Sequence, residues 1–225
     1  MGIILNIETS TKNCSVSISN GTEIIQSKEL NTGGYSHAEK LHPFIQDCMQ
    51  AAGLSFSDLD AVAVGKGPGS YTGLRIGVSA AKGLCFANDL PLIAMNSLEV
   101  LARSQNISSG VIIPLIDARR MEVYSAVFDP QFNWVRETQA EIIDADSFAS
   151  YLEKGPVYFL GDGAEKCKDV ITHENAHFVD HAFPSAQNMI NISHEKFAQQ
   201  EVEDVAYFEP YYLKNFVATP QKKKI

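Results

Sequence analysis

Val64-Gly65-Lys66-Gly67-Pro68-Gly69-Ser70-Tyr71-Thr72-Gly73-Leu74-Arg75-Ile76-Gly77 decides how the rest of the chain is read. The apolar run Ala61-Val62-Ala63-Val64 before it reads as a short buried strand. Leu74 to Ala87 after it reads as a helix. The turn between them is rich in glycine, which lets another backbone or a phosphate approach closely. Ser70 or Thr72 is placed to cap the helix by accepting from a first-turn N–H. The turn is not a P-loop, because no Gly-Lys-Ser/Thr follows at the required spacing. Nor is it the dinucleotide fingerprint, because Thr72 stands where the third glycine or alanine belongs. A phosphate cradle on the helix N-terminus is the sharper reading. A tight turn whose glycines serve packing is the plainer one.

The helix adds a second signal. Leu74, Val78, Ala81 and Cys85 share one face, and Gly73, Gly77, Ala80 and Leu84 a neighbouring one. Arg75, Ser79 and Lys82 form the polar stripe. A helix apolar around most of its girth needs cover on two sides. Its own sheet is one cover. A second helix or a partner protein is the other.

Composition narrows the class. At 225 residues the chain makes one large domain or two small ones. No apolar run approaches a membrane span. Residues 1–9 lack the basic start and long apolar core of a signal peptide, so a cytoplasmic protein is expected. Cys14, Cys48, Cys85 and Cys167 are widely spread with no Cys-x-x-Cys pair, which argues for buried free thiols rather than zinc or disulfides. The net charge of −9 argues against a broad basic face for nucleic acid.

Strands are expected at Ile3 to Glu8, Cys14 to Ser19 and Glu23 to Leu30, with Asn20-Gly21 as a hairpin turn. Ser36 and Glu39 fit a capping box opening a helix to about Ala52, with Leu41, Ile45, Cys48 and Ala52 on one side and an irregularity at Pro43. The Ala61 to Val64 strand, the long helix, a strand at Pro91 to Met95 and a short helix from Ser97 follow. Residues 104–110 are polar and turn-rich, a candidate boundary. The pattern then restarts. Strands fall at Val111 to Asp117, Glu122 to Phe128 and Trp134 to Ile143, then a helix from Asp144 to Glu153 and a strand at Val157 to Leu160. A helix at Ala164 to Ile171, a strand at His177 to Val179 and a helix at Ser185 to Gln200 complete the second set. A βββαβαβα unit occurring twice is an α/β pattern, that of the actin-like (ASKHA) fold with two ribonuclease-H-like lobes. The expected division is 1–106, 107–214 and a Lys-rich tail at 215–225.

With these elements placed, the glycine stretch resembles the hallmark of the bacterial TsaB (YeaZ) family. Ile7-Glu8-Thr9-Ser10, His37-Ala38-Glu39-Lys40-Leu41 with Pro43, Asp117-Ala118-Arg119-Arg120-Met121-Glu122-Val123-Tyr124 and Glu209-Pro210-Tyr211-Tyr212-Leu213-Lys214 fit the same family. The resemblance implies a non-catalytic scaffold subunit in making N6-threonylcarbamoyladenosine at position 37 of tRNAs that read ANN codons. It further implies pairing with the catalytic paralogue TsaD, a ternary complex with the ATPase TsaE, homodimerisation when alone, and contact with tRNA only through the complex. Most members carry Asp where this chain has Glu8, which puts an inherited phosphate role in doubt.

Candidate chemistry is sparse. Glu8 and Asp117 end equivalent strands and are candidates, with Ser10, for a vestigial nucleotide cleft. His37 and His42 are too far apart around a helix to share a metal, and no serine sits in Gly-x-Ser-x-Gly. No catalytic residue, metal or cofactor is expected. Arg119 and Arg120 read as a solvated turn, with phosphate binding as the sharper alternative. The expected partner interface is Gly73, Arg75, Gly77, Ala80 and Lys82 of the long helix with Leu41 and Ile45 of the earlier one. The rival reading is a glycoprotease-like peptidase or ATPase acting through its own interlobe cleft.

Overall fold

A computed structural model describes residues 2–34 and 36–214. The expected tail at 215–225 lies outside them. The first sheet contains β1 (Ile3–Glu8), β2 (Cys14–Asn20), β3 (Glu23–Leu30), β4 (Ala61–Gly67) and β5 (Leu92–Asn96), in the order β3-β2-β1-β4-β5. The second contains β6 (Val111–Asp117), β7 (Glu122–Phe128), β8 (Trp134–Ile142), β9 (Val157–Leu160) and β10 (Ala176–Val179), in the order β10-β9-β6-β7-β8. Read from its other end, the second order repeats the first. In each sheet the leading three strands pair antiparallel and the last two add parallel, with Ile7 opposite Val16 and Leu5 opposite Val62 in the first. This duplication is the actin-like arrangement.

Both faces of each sheet are covered, which is why the central strands are apolar runs rather than alternating ones. One face of the first sheet packs Leu5, Ile7, Val62 and Val64 against α1 (His37–Ala52) and α2 (Tyr71–Asn88). The second sheet packs Ile113, Leu115 and Phe159 against α4 (Ala149–Leu152) and the 3₁₀ turn Glu165–Cys167. The remaining faces are cross-covered. α3 (Ser97–Ala102) lays Leu98, Leu101 and Ala102 on Ile112, Ile116 and Phe128 of the second sheet. The turn Ala186–Met189 and α5 (Ile190–Gln199) lay Ala186, Met189 and Ile192 on Ile4, Ala63 and Ile93 of the first. Residues 97–110 link the two sheets, and the end of the chain beyond them returns to the first sheet. Ser15 Oγ accepts from Ala186 N at 2.9 Å, and Ser17 Oγ donates to Ala186 O at 2.8 Å.

Three local expectations are corrected. The capping box at Ser36 and Glu39 does not form. Ser36 occupies the N-cap with φ −125° and ψ 10°, outside the extended conformation that aims a cap side chain at the helix, and its Oγ is buried without a partner among the described residues. Its carbonyl takes Glu39 N at 3.1 Å and Lys40 N at 2.9 Å instead. The helix expected from Asp144 shrinks to α4, because Ser147 Oγ closes a turn on Asp144 N at 2.9 Å. The helix expected over Ala164 to Ile171 is reduced to a 3₁₀ turn. All four cysteines are buried and free, and burial pushes the Cys14, Cys85 and Cys167 thiols up to about 11.

Candidate functional site

The glycine stretch is shaped by the turn after β1, residues 8–10. A Cβ on Gly65 would lie 2.0 Å from Glu8 Oε2. A Cβ on Gly73 would lie 2.2 Å from Thr9 O, and one on Gly77 would lie 2.2 Å from Thr9 Oγ1. Thr9 Oγ1 donates to Gly73 O at 2.9 Å, and Ser70 N donates to Ser10 O at 2.6 Å. Ser70 Oγ caps α2 by accepting from Gly73 N at 3.2 Å. The close approach that glycine permits here is that of the protein's own chain, through the Glu8 and Thr9 side chains and the Thr9 carbonyl.

Glu8 lies at the centre of this packing with no solvent exposure. Its carboxylate accepts from Ser10 N at 2.6 Å and from Ser97 Oγ at 3.0 Å. Burial pushes its pKa up, and the hydrogen bond from Ser10 N pulls the other way. Ser10 is buried beside it. Asp117, the other expected cleft carboxylate, is exposed and held by different partners. It forms an ion pair with Lys166, its Oδ1 accepts from Arg119 N at 3.0 Å, and its own N–H donates to Asp162 Oδ1 at 3.0 Å. The structure therefore gives Glu8 and Asp117 separate surroundings rather than one paired site. Asp162, which sequence reading passed over, is raised in pKa by burial. Its signal was Gly161-Asp162-Gly163 after β9, the counterpart of the glycine turn after β4. Arg119 and Arg120 turn the β6–β7 hairpin with φ of 72° and 53° and are exposed. His37 is buried, with Nε2 2.7 Å from Thr11 O. Among the described residues no group of three or more His, Cys, Asp or Glu is placed to hold a metal ion.

The outward side of α2 is different. It forms, with α1, an open groove of about 740 Å³ lined by Ala38, His42, Ile76, Ala80, Gly83 and Leu84. Tyr71, Thr72, Arg75 and Ser79 continue the same wall, and Phe86 stands 86% exposed one turn beyond Lys82. Arg75 is exposed and lies over the Tyr71 ring, 5.4 Å from its centroid. The residues expected at a partner interface are not all on this outward face. Gly73 and Gly77 face inward, because Thr9 fills the space beside them. Leu41 and Ile45 belong to the core beneath α1. Ala80 reaches the groove floor at 7% exposure. Lys82 is engaged within the molecule, donating to Phe208 O at 2.8 Å and Ala206 O at 3.3 Å. Gly83, which was not singled out, is the opening: a Cβ there meets nothing within 4 Å.

Residues 203–214 form a strap beside this face. Glu203 N donates to Leu92 O and Tyr211 N to Lys66 O, both at 2.8 Å. The Tyr212 and Tyr71 rings lie 5.0 Å apart, and Lys214 pairs with Glu122 on the second sheet. No helix among the described residues is long and apolar enough to cross a membrane.

Comparison with known proteins agrees with this geometry. The family model described as TsaD, tRNA N6-adenosine threonylcarbamoyltransferase, matches residues 31–222. The tRNA threonylcarbamoyladenosine biosynthesis protein TsaB of Escherichia coli K12 is 31% identical over 223 residues, covering 96% of each chain. A solved Pseudomonas aeruginosa structure, described as similar to peptidase YEAZ, superposes with a TM-score of 0.82 at 26% identity, over 95% of this chain and 100% of that one. The tRNA N6-adenosine threonylcarbamoyltransferase of Bacillus thuringiensis Al Hakam matches at 33% identity, but over 51% of this chain and only 38% of its own. End-to-end likeness to the shorter relatives, partial likeness to the transferase and the duplicated sheet order together lead to one conclusion: the chain belongs to the TsaB (YeaZ) family.

Proposed function

We propose that this protein is a scaffold subunit of the complex that makes threonylcarbamoyladenosine at position 37 of tRNAs reading ANN codons, and that it acts by binding TsaD through the groove between α1 and α2. The observation that carries the reading is the outward face of α2. Ile76, Ala80, Gly83, Leu84 and Phe86 leave an apolar stripe beside α1 with none of the described residues over it. In isolation the same face pairs two copies of the chain, and in the complex the protein forms a ternary assembly with TsaD and TsaE. A catalytic role for the chain itself is disfavoured by Glu8. That carboxylate is enclosed and committed to Ser10 N–H and the Ser97 hydroxyl, so it has no route to a nucleotide or a peptide.

Gly83→Arg tests the reading cleanly, because the new side chain enters open space in the free protein. Affinity for TsaD is measured by calorimetry, and oligomeric state by light scattering over a dilution series. The expected result is at least tenfold weaker TsaD binding and loss of the homodimer, with the melting temperature within a few degrees of wild type. Unchanged affinity and unchanged melting would place TsaD elsewhere on the molecule.

A further inference from the structure

The strap at residues 203–212 holds itself down mainly through its main chain. Its N–H groups at Glu203 and Tyr211 reach Leu92 O and Lys66 O, and its carbonyls at Ala206 and Phe208 take Lys82 Nζ. Val205 and Phe208 are the side chains it adds to the first core. Tyr207 is left 84% exposed, and Tyr211 and Tyr212 are exposed at 39% and 38%. With Lys66, the strap encloses a second groove of about 600 Å³. Large aromatic side chains left at the rim of a groove supply rigid contact area for a partner at little entropic cost.

The groove is also charged. Glu203, Asp204 and Glu209 line it, and Lys66 is the one cation among its described lining residues, with Lys82 held on the strap's carbonyls behind it. None of these three carboxylates belongs to an ion pair among the described residues. We propose that this groove is a docking site for an arginine- or lysine-bearing segment of a partner protein, whose cations rest on the tyrosine rings between the carboxylates. A cation over an aromatic face and beside a carboxylate is held by both groups at once. Phosphate backbones are disfavoured because the carboxylates repel them. A second copy is disfavoured because it brings the same carboxylates on a chain of net charge −9. This groove adjoins the α1–α2 groove through the Tyr212–Tyr71 ring contact but shares no lining residue with it.

The test uses the full chain and a labelled, end-blocked decapeptide of alternating arginine and glycine, read by fluorescence anisotropy at low salt. Tyr207→Ala keeps the charge and removes a side chain that is almost wholly in solvent, so the fold is retained. It is expected to weaken the peptide at least fivefold. Glu203→Gln with Glu209→Gln is expected to weaken it tenfold, whereas Glu137→Gln with Glu153→Gln, which removes the same charge elsewhere, changes it less than twofold. Equal losses in the two double variants, or no loss in Tyr207→Ala, would mean attraction to bulk charge and overturn the proposal. Tighter peptide binding when Lys222, Lys223 and Lys224 are all changed to Gln would make the chain's own C-terminus the occupant, and would overturn it as well.

Discussion

Thr9 decides what two of the motif glycines are for. Its carbonyl and hydroxyl oxygens stand 2.2 Å from the positions a Cβ would take on Gly73 and Gly77. Gly77→Ala should therefore lower stability by about 1–3 kcal/mol, the usual cost of forcing atoms into a filled site. Urea denaturation measures it, and a loss below 0.5 kcal/mol would show that Thr9 moves aside freely. The sequence alone pointed these glycines outward, because a small residue at helical spacing looks the same from either side. The side chain that settles the matter lies 64 residues earlier in the chain. Glu8 offers a second residue-level test. Its folded pKa is raised above the ordinary value of 4.5, chiefly by burial. The stability that goes with this shift is fully present below pH 4.5 and is lost as pH rises through the folded value. Gln fits the same bonds: its amide oxygen accepts from Ser10 N–H and its amide nitrogen donates to Ser97 Oγ. Glu8→Gln is expected to melt higher than wild type at pH 8, with the gap closing towards pH 4. A variant less stable than wild type at pH 8 would mean that the charge is worth more than its burial costs.

The long helix α2 was legible because its inward set, Leu74, Val78, Ala81 and Cys85, repeats at helical spacing, and all four side chains are buried as that spacing requires. Its outward set was harder to read. Lys82 looked like a rim charge but is spent on the carbonyls of the strap, more than 120 residues later in the chain. Gly83 carried no signal, since a solvent-facing glycine inside a helix has no packing reason to be there. In the free protein it weakens the helix, so Gly83→Ala should raise stability by about 1 kcal/mol in thermal denaturation. No gain would show that α2 is already held by its neighbours. The start of α1 was placed correctly at Ser36, but its bond was not, because the cap conformation depends on backbone angles that residue identities leave open. The helix expected from Asp144 is shortened for a local reason. Asp144 and Ser147 satisfy each other's turn, and side chains of this kind compete with helix hydrogen bonds.

At the scale of the molecule, the duplicated order of strands was readable because each strand is a separate apolar run bounded by turn residues. The exchange of covers between the halves was not. α3 leaves the first set to cover the second sheet, and residues 186–192 leave the second to cover the first. Periodicity says that a helix has an apolar face but not which sheet receives it. The contacts that decide it, Ser15 and Ser17 with Ala186, span 171 and 169 residues. The result is a body whose central turn is filled by its own Glu8 and which leaves an apolar groove between α1 and α2 uncovered by any described residue. On the function proposed above, this groove, and not the interlobe cleft, is where the protein acts. Hydrogen–deuterium exchange with and without TsaD distinguishes the two. New protection is expected across residues 71–87 and 37–46, with residues 117–122 and 162–166 unchanged. Protection confined to 117–122 and 162–166, with α2 exchanging as in the free protein, would contradict it.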